Sequence, residues 1–381
     1  MTATTPAPEP DLLYSEEEDA LRAAVRALLA DRCAPDAVLA GLESGRPHDA
    51  DLWRELATGI GAAGLLVPEE YGGAGAGPRE AAVVLEELGR AVAPVPYLTS
   101  AVLAVTALLG CEADRDEVAG PLAALAEGRT LGALAVPLTT GPGAAGPAPV
   151  RADAAGRLTG HVTSVAGAAG AGLLLVPAEG PDGPALYAVD AAADGVRIEP
   201  VTPLDLTRPL GHLAFDGAAG RPLAQGERAR AAVGRALLTG AGLLASEQLG
   251  LAEWCLTETV RYTRERTQFG RPVGSFQALK HRMAALWLDV ASARAAARNA
   301  ADALARNAAD APVAVALAQA YCAPVAVRAA EECIQLHGGI GMTWEHPAHL
   351  ALKRAKSDEL ALGTPGHHRE ALAGLVDLAA P

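Results

Sequence analysis

Aromatic side chains are scarce in this chain, with Phe, Trp and Tyr together making up 3% of its 381 residues. A core without large rings must be built from Ala, Leu and Val, which lets helices approach closely, so a helix-dominated protein is expected. Basic residues fall short of acidic ones by 45 − 31 = 14, and no long Lys/Arg run occurs, which excludes a phosphate-backbone partner such as nucleic acid. There is no CxxC. Cys33, Cys111, Cys255, Cys322 and Cys333 are odd in number and widely spread, and read as reduced, buried thiols of a cytoplasmic protein. The opening MTATTPAPEPD lacks the basic and apolar regions of a signal peptide and reads as a floppy leader. No uninterrupted apolar run approaches the roughly 20 residues that span a bilayer, so no membrane insertion is expected. Neither a P-loop nor a GxSxG elbow is present, which leaves a nucleotide kinase or a hydrolase without support. GGAGAG (72–77) and GAAGAG (167–172) lack the strand, the helix and the acid about 20 residues on that a dinucleotide loop requires, and read as turns.

What is present is globular: half the residues are hydrophobic and 20% are charged. The length suggests two or three packed units. Ser15 with Glu18 forms a capping box ahead of LRAAVRALLADR, and helical patterns continue through about residue 125. From about Leu131 short apolar runs (GALAV, GLLLVPA, ALYAV) alternate with Gly and Pro turns, as in a β-rich unit. Helical composition returns near Glu227, giving segments of roughly 228–267, 276–306 and 311–337 and a shorter terminal pair. Asp310 and Pro312 start the third, and Gly338-Gly339 stops it. The expected division is 1–128 helical, 129–226 β, and 227–381 a helical bundle.

Three places can carry chemistry. RYTRERTQFGRP groups Arg261, Arg264 and Arg266 at a helix end, either as a solvated cap favoured by the helix dipole or as a phosphate site. IQLHGGIG (334–341) offers exposed backbone at Gly338 and Gly339 beside Gln335 and His337, where a cofactor can approach closely. Glu247, in GLLASEQLGLAEW, has Leu243, Leu244, Gly250, Leu251 and Trp254 as its helical neighbours, none able to pair with a charge. Five of the nine histidines lie between His337 and His368. EHPAH (345–349) is not HExxH, because Pro347 interrupts it, so no metal is expected.

RYTRERTQFGRPVGSFQALKHRMAAL and IQLHGGIGMTWEH resemble the two C-terminal signatures of the acyl-CoA dehydrogenases, and VPEEYGGAGAGPREAAVVLEELGRA resembles their N-terminal one. The likeness covers nearly the whole chain. It implies a mainly α fold with a β middle domain: an N-terminal helical domain, a β-barrel or sandwich-like middle domain and a C-terminal four-helix bundle. It also implies FAD, which removes two hydrogens from the α and β carbons of an acyl-CoA thioester to give the trans-2-enoyl-CoA and passes electrons to an electron-transfer flavoprotein. The ADP half of FAD crosses to a neighbouring subunit in such enzymes, so a homo- or hetero-oligomer, a dimer of dimers, is implied. Carried over, Arg266, Gln268, Phe269, Gln277, Gln335, Gly338 and Gly339 would touch the cofactor.

The sequence departs from the family pattern at the base. The usual YEGT is here ALGT, placing Leu362 where the base belongs, and the alternative base position on the long helix is Gly240. Glu247 lies two turns beyond Gly240. It resembles the helix-borne Glu of a subset of actinobacterial acyl-CoA dehydrogenases that often act on bulky thioesters such as steroid side chains. On this reading Glu247, its pKa raised by an apolar setting, takes the α-proton while hydride leaves the β-carbon for flavin N5. The Leu362 backbone N–H supplies an oxyanion contact. The alternatives are an interhelical ion pair for Glu247, a non-catalytic FAD-binding partner subunit, and an oxidase or hydroxylase on the same fold. The family's TEPGAGSD is here TGPGAAGP (140–147) and its WIT aligns with Ser164, Val165 and Ala166, leaving Thr140 and Ser164 as the side-chain donors toward the flavin ring. Small residues in TGAGLLASEQLG suggest a widened pocket for a branched or polycyclic acyl group.

Overall fold

The computed structural model describes residues 12–46, 48–111, 115–144 and 148–378. The leader 1–11 and the end of the TGPGAAGP stretch (145–147) lie outside the described residues. The chain opens with α1 (Glu16–Arg32), α2 (Pro35–Glu43), α3 (Ala50–Arg54) and α4 (Pro78–Ala91). A π-helical segment, Tyr97–Ala104, then runs into α5 (Val105–Leu109), and α6 (Arg115–Ala126) follows. The capping box is formed at the start of α1: Ser15 Oγ accepts from the Glu18 N–H at 3.1 Å, and the Ser15 N–H donates to Glu18 Oε2 at 2.7 Å.

Eight strands follow: β1 (Gly132–Leu134), β2 (Val150–Ala152), β3 (Arg157–Ala166), β4 (Leu173–Gly180), β5 (Gly183–Asp190), β6 (Val196–Val201), β7 (Leu210–Ala219) and β8 (Arg221–Gln225). They form one sheet in the order β6-β7-β3-β2-β4-β5-β8, with β1 beside β4, and among the described residues no ladder joins β6 to β8. Pairing is antiparallel except for β1–β4 and β2–β4. Alternation along β4 sends Leu174 and Val176 into a core of the sheet's own, while Leu175 faces the core shared by the helices.

The C-terminal part holds α7 (Gly226–Glu265), a tight hairpin of β9 (Thr267–Gln268) and β10 (Arg271–Pro272), α8 (Gln277–Ala305), α9 (Ala311–His337), α10 (Ala348–Leu360) and α11 (Pro365–Leu375). At 40 residues α7 is about 60 Å long and serves as the spine. It crosses α4 backbone to backbone. A Cβ on Gly250 would fall 1.8 Å from the Glu86 carbonyl oxygen, and one on Gly89 2.1 Å from that of Glu247, so only glycine fits at either place. The segment Ala311–Met342 is long and apolar enough, by length and composition, to cross a membrane; 67% of its apolar window is buried inside the protein, against α7, α8, α10 and α11.

Candidate active site and cofactor contacts

The apolar surroundings expected for Glu247 are not what the fold supplies. The carboxylate is 2% exposed, but two guanidiniums from distant segments reach it. Arg208, in the loop between β6 and β7, donates from Nη2 to Glu247 Oε1 at 2.5 Å, and Arg354 of α10 donates to the same oxygen from Nη1. Arg354 also donates from Nε to Asp205 Oδ2 at 2.6 Å and from Nη2 to Thr207 Oγ1 at 2.5 Å, the Thr207 carbonyl at 3.1 Å and the Ala93 carbonyl at 3.4 Å. Asp358 Oδ1 lies 3.2 Å from Arg208 Nη2. Three buried carboxylates therefore share two buried cations, and the cluster binds the N-terminal helices, the sheet and the bundle together at one point.

The electrostatics correct the expected pKa shift. Burial alone pushes the Glu247 carboxyl up, but Arg208 and Arg354 more than offset it, and its pKa lies below the ordinary carboxylate value. Asp205 is lowered likewise: burial opposes ionisation, and Arg354, Thr207 and Arg208 overcome it. Asp358 takes the remaining cost, raised well above the usual range by burial and then by the Glu247 charge. An ionised Glu247 bonded to two arginines is a weak proton acceptor. Its side chain borders a cavity of about 30 Å³, together with Tyr97, Thr99 and Pro209, which is room for a few waters at most and not for an acyl chain.

The two positions where the family carries its base are also packed shut. A Cβ on Gly240 would fall 2.4 Å from Leu103 Cδ2 and 3.1 Å from Leu362 Cδ1, and one on Gly242 2.5 Å from Leu304 Cδ1. The small residues of TGAGLLASEQLG admit neighbouring leucines and do not widen a pocket. Leu362 is buried, and its N–H, expected to serve a thioester oxygen, donates to the Leu138 carbonyl at 2.7 Å. Leu138 in turn donates to the Ser164 carbonyl at 2.9 Å, and His367 Nε2 stands 3.1 Å from the Pro142 carbonyl oxygen. The loop after β1, the end of β3 and the turn before α11 thus close on one another directly. Thr140 lies in this loop, half-buried, its N–H bonded to the Pro137 carbonyl, and the half-buried Ser164 sits at a bulge with φ +55°. These contacts do not fit a flavin ring between Thr140, Ser164 and Leu362.

The other group of expected residues is arranged in the opposite way. Arg266, Gln268, Phe269, Gln277, Gln335, Gly338 and Gly339 are all exposed, Phe269 at 88%. Phe269 (φ +54°) sits at the tip of the β9–β10 hairpin, edge-on to Phe276, which Arg271 covers at 4.0 Å. The end of α9 meets the last turns of α7 through Tyr262 and His337, whose rings lie 4.3 Å apart and tilted, so the RTQFG and QLHGG segments adjoin. Arg261 is taken up by Glu258 and Glu265. An exposed arginine, three glutamines, a flat aromatic side chain and bare glycine backbone suit a nucleotide diphosphate.

Comparison with known proteins follows the same lines. The family model for the acyl-CoA dehydrogenase C-terminal domain matches residues 230–375, and that for the N-terminal domain matches residues 15–126. An acyl-CoA dehydrogenase of Mycobacterium tuberculosis, IpdE2, is 37% identical over 92% of this chain and 94% of its own. The chain belongs to the acyl-CoA dehydrogenase family. IpdE2 of Mycolicibacterium smegmatis is 38% identical, covering 92% of this chain and 96% of its own. The crystal structure of the ChsE4-ChsE5 complex from Mycobacterium tuberculosis matches with a TM-score of 0.86 and 31% identity over 97% of this chain and 100% of that one. The Tcur3481-Tcur3483 steroid ACAD matches with 0.83 and 32% over 95% and 98%. This acyl-CoA dehydrogenase is thus an oxidoreductase by family, with a mainly helical fold around a central sheet.

The residues missed by sequence reasoning are Asp205, Thr207, Arg208, Arg354 and Asp358. Arg354 and Asp358 stand at i and i+4 in LKRAKSDEL, a spacing that reads as an ordinary surface pair. Arg208 sits in a Pro-flanked loop, PLDLTRPLG, that carries no functional signature.

Proposed function

We propose that this chain serves FAD-dependent α,β-dehydrogenation of an acyl-CoA thioester as the subunit that grips the ADP half of a flavin, while an unlike neighbouring chain seats the flavin ring and brings the base. One observation carries this reading. The seven residues on the ADP side are all exposed, whereas Gly240 and Leu362 are packed shut and Glu247 is ionised and clamped by Arg208 and Arg354. FAD, when bound, supplies the two-electron acceptor that the reaction needs. What this chain's own residues would do is bind: Arg266 would pair with pyrophosphate charge, Gln268, Gln277 and Gln335 would offer amide hydrogen bonds, and Gly338-Gly339 would let backbone approach.

The relatives support the mixed assembly and the substrate class. Two of the similar structures are named as pairs of distinct proteins, and one of them as a steroid ACAD. A dimer of dimers containing two kinds of chain, acting on a bulky or steroid-derived acyl-CoA, follows from this reading. Its product is the trans-2-enoyl-CoA and its electrons pass to an electron-transfer flavoprotein. The five cysteines are free and buried, in keeping with a reducing, cytoplasmic setting.

The test is a visible spectrum of the purified chain supplied with FAD, followed by anaerobic addition of short, branched and steroid-type acyl-CoA thioesters. The chain alone is expected to hold no flavin and to reduce none. In a two-chain preparation that turns over, Glu247→Gln in this chain is expected to leave kcat within about two-fold, and Arg266→Ala to lower flavin content. A chain that alone binds one FAD, bleaches with a thioester and loses that activity on Glu247→Gln would restore Glu247 as the base and overturn the proposal.

A further inference from the structure

Away from the cluster around Glu247, three side chains that the sequence scatters meet where α9 ends. Glu258 comes from α7, His337 is the last residue of α9, and His346 belongs to the turn before α10. One ligand atom from each lies within 4.8 Å of the others. The EHPAH stretch argued against a metal because Pro347 interrupts the HExxH pattern, but the fold draws the remaining ligands from other segments.

The orientation of the His337 ring is set by its surroundings. Its Nδ1 is 2.6 Å from the Cys333 carbonyl oxygen, which can only accept, so Nδ1 carries a proton and Nε2 is the ring nitrogen left for a ligand. That Nε2 is buried and has no hydrogen-bond partner, and it lies 3.9 Å from Glu258 Oε1. A buried ring nitrogen left without a partner is costly, and an imidazole whose Nδ1–H rests on a backbone carbonyl has the support of metal-bound histidines. The Tyr262 ring packs against that of His337, tilted, at 4.3 Å and holds its orientation, and the His346 ring is 4.2 Å away, centroid to centroid. Two ligand atoms of one tetrahedral ion stand roughly 3.3–3.5 Å apart, so a separation of 3.9 Å closes with a small shift.

We propose that Glu258, His337 and His346 form a binding site for a divalent transition-metal ion of the zinc class. Two imidazole nitrogens and one carboxylate oxygen are borderline ligands that suit zinc over magnesium or calcium, and a solvent molecule completes four-coordination. Two existing bonds yield to the ion. Whichever nitrogen His346 presents, the 3.2 Å hydrogen bond it accepts from the Ala348 N–H is given up. The Arg261 fork on Glu258 loosens toward Glu265, which Arg261 already contacts at 2.7 Å. The ion then ties the turn containing Gly338 and Gly339 to the end of α7, so the site acts as a clasp on that exposed glycine surface. It uses no flavin and no acyl thioester, and stands or falls independently of the functional reading above.

The experiment uses the full chain stripped with a chelator and then titrated with zinc sulfate by calorimetry, and with Co(II) by visible absorption. One ion per chain is expected, with proton release and the intense ligand-field bands of four-coordinate cobalt. Glu258→Gln and His346→Ala, both at partly exposed positions where folding tolerates change, are each expected to weaken binding at least about ten-fold. Far-UV circular dichroism confirms that both variants fold. Absence of saturable binding overturns the proposal. So does an affinity equal in the parent and both variants, which would put the ion on other histidines.

Discussion

Removing the Arg354 side chain tests whether the buried charge cluster is a structural joint. Arg354→Met keeps most of the volume and deletes the cation that bonds Asp205, Glu247, Thr207 and the Ala93 carbonyl. Arg208 alone then faces three buried carboxylates. Breaking a buried ion pair by deleting one partner costs roughly 3–5 kcal/mol, which is a large share of the roughly 5–15 kcal/mol that holds a protein folded. Urea unfolding followed by circular dichroism, together with fluorescence of the core residue Trp53, is expected to give a midpoint far below that of the parent. Adding Glu247→Gln to Arg354→Met should cost less than the two single losses combined, by about 1 kcal/mol or more, because the second change removes the charge that the first left unpaired. A loss below about 1 kcal/mol for Arg354→Met, or strict additivity with Glu247→Gln, would refute the reasoning.

Asp358 predicts an effect of the opposite sign. Its folded pKa is raised, so its contribution is fully present below the unfolded value of about 4 and is lost as pH rises toward the folded value; Asp205 and Glu247, lowered, contribute above about 4 and lose that contribution as pH falls through their folded values. Asp358→Asn is therefore expected to match or exceed the parent's stability, with an advantage that grows between about pH 5 and pH 7.5, read from urea midpoints at several pH values. Gly250→Ala forces α4 from α7 and is expected to cost about 3 kcal/mol or more, seen as a lowered midpoint with unchanged secondary structure at zero urea. Gly240→Ala is expected to destabilise alone and to be largely rescued by Leu103→Ala, which vacates the space a new Cβ needs; equal stability of the single and double variants would contradict the packing described.

The helices were legible because their ends are written locally. Ser15 and Glu18 cap α1 as expected, Pro312 lies in the first turn of α9 and Gly338 follows its end, and the helix expected at 276–306 is Gln277–Ala305. The long helix was placed two residues late at each end, at 228–267 against Gly226–Glu265. What the sequence hid is the company Glu247 keeps. Its helical neighbours are apolar, but its partners stand 39 and 107 residues away, beyond any local spacing rule. The same holds for Leu362, whose N–H is satisfied by the carbonyl of Leu138, far away in the sequence. Backbone strain offered no earlier hint, although Ser164, Phe269 and Leu362, all expected site residues, have positive φ.

The backbone crossing at Gly89 and Gly250 has a dynamic consequence. With no side-chain layer between them, α4 and α7 have nothing to repack and no cushion over which to slide, so the N-terminal helices and the bundle move as one rigid body. Amide hydrogens on the facing turns of these two helices should be the last in the molecule to exchange with deuterium. Breathing motions are left to the sheet, which keeps a core of its own, and to the hairpin that carries Phe269 into solvent.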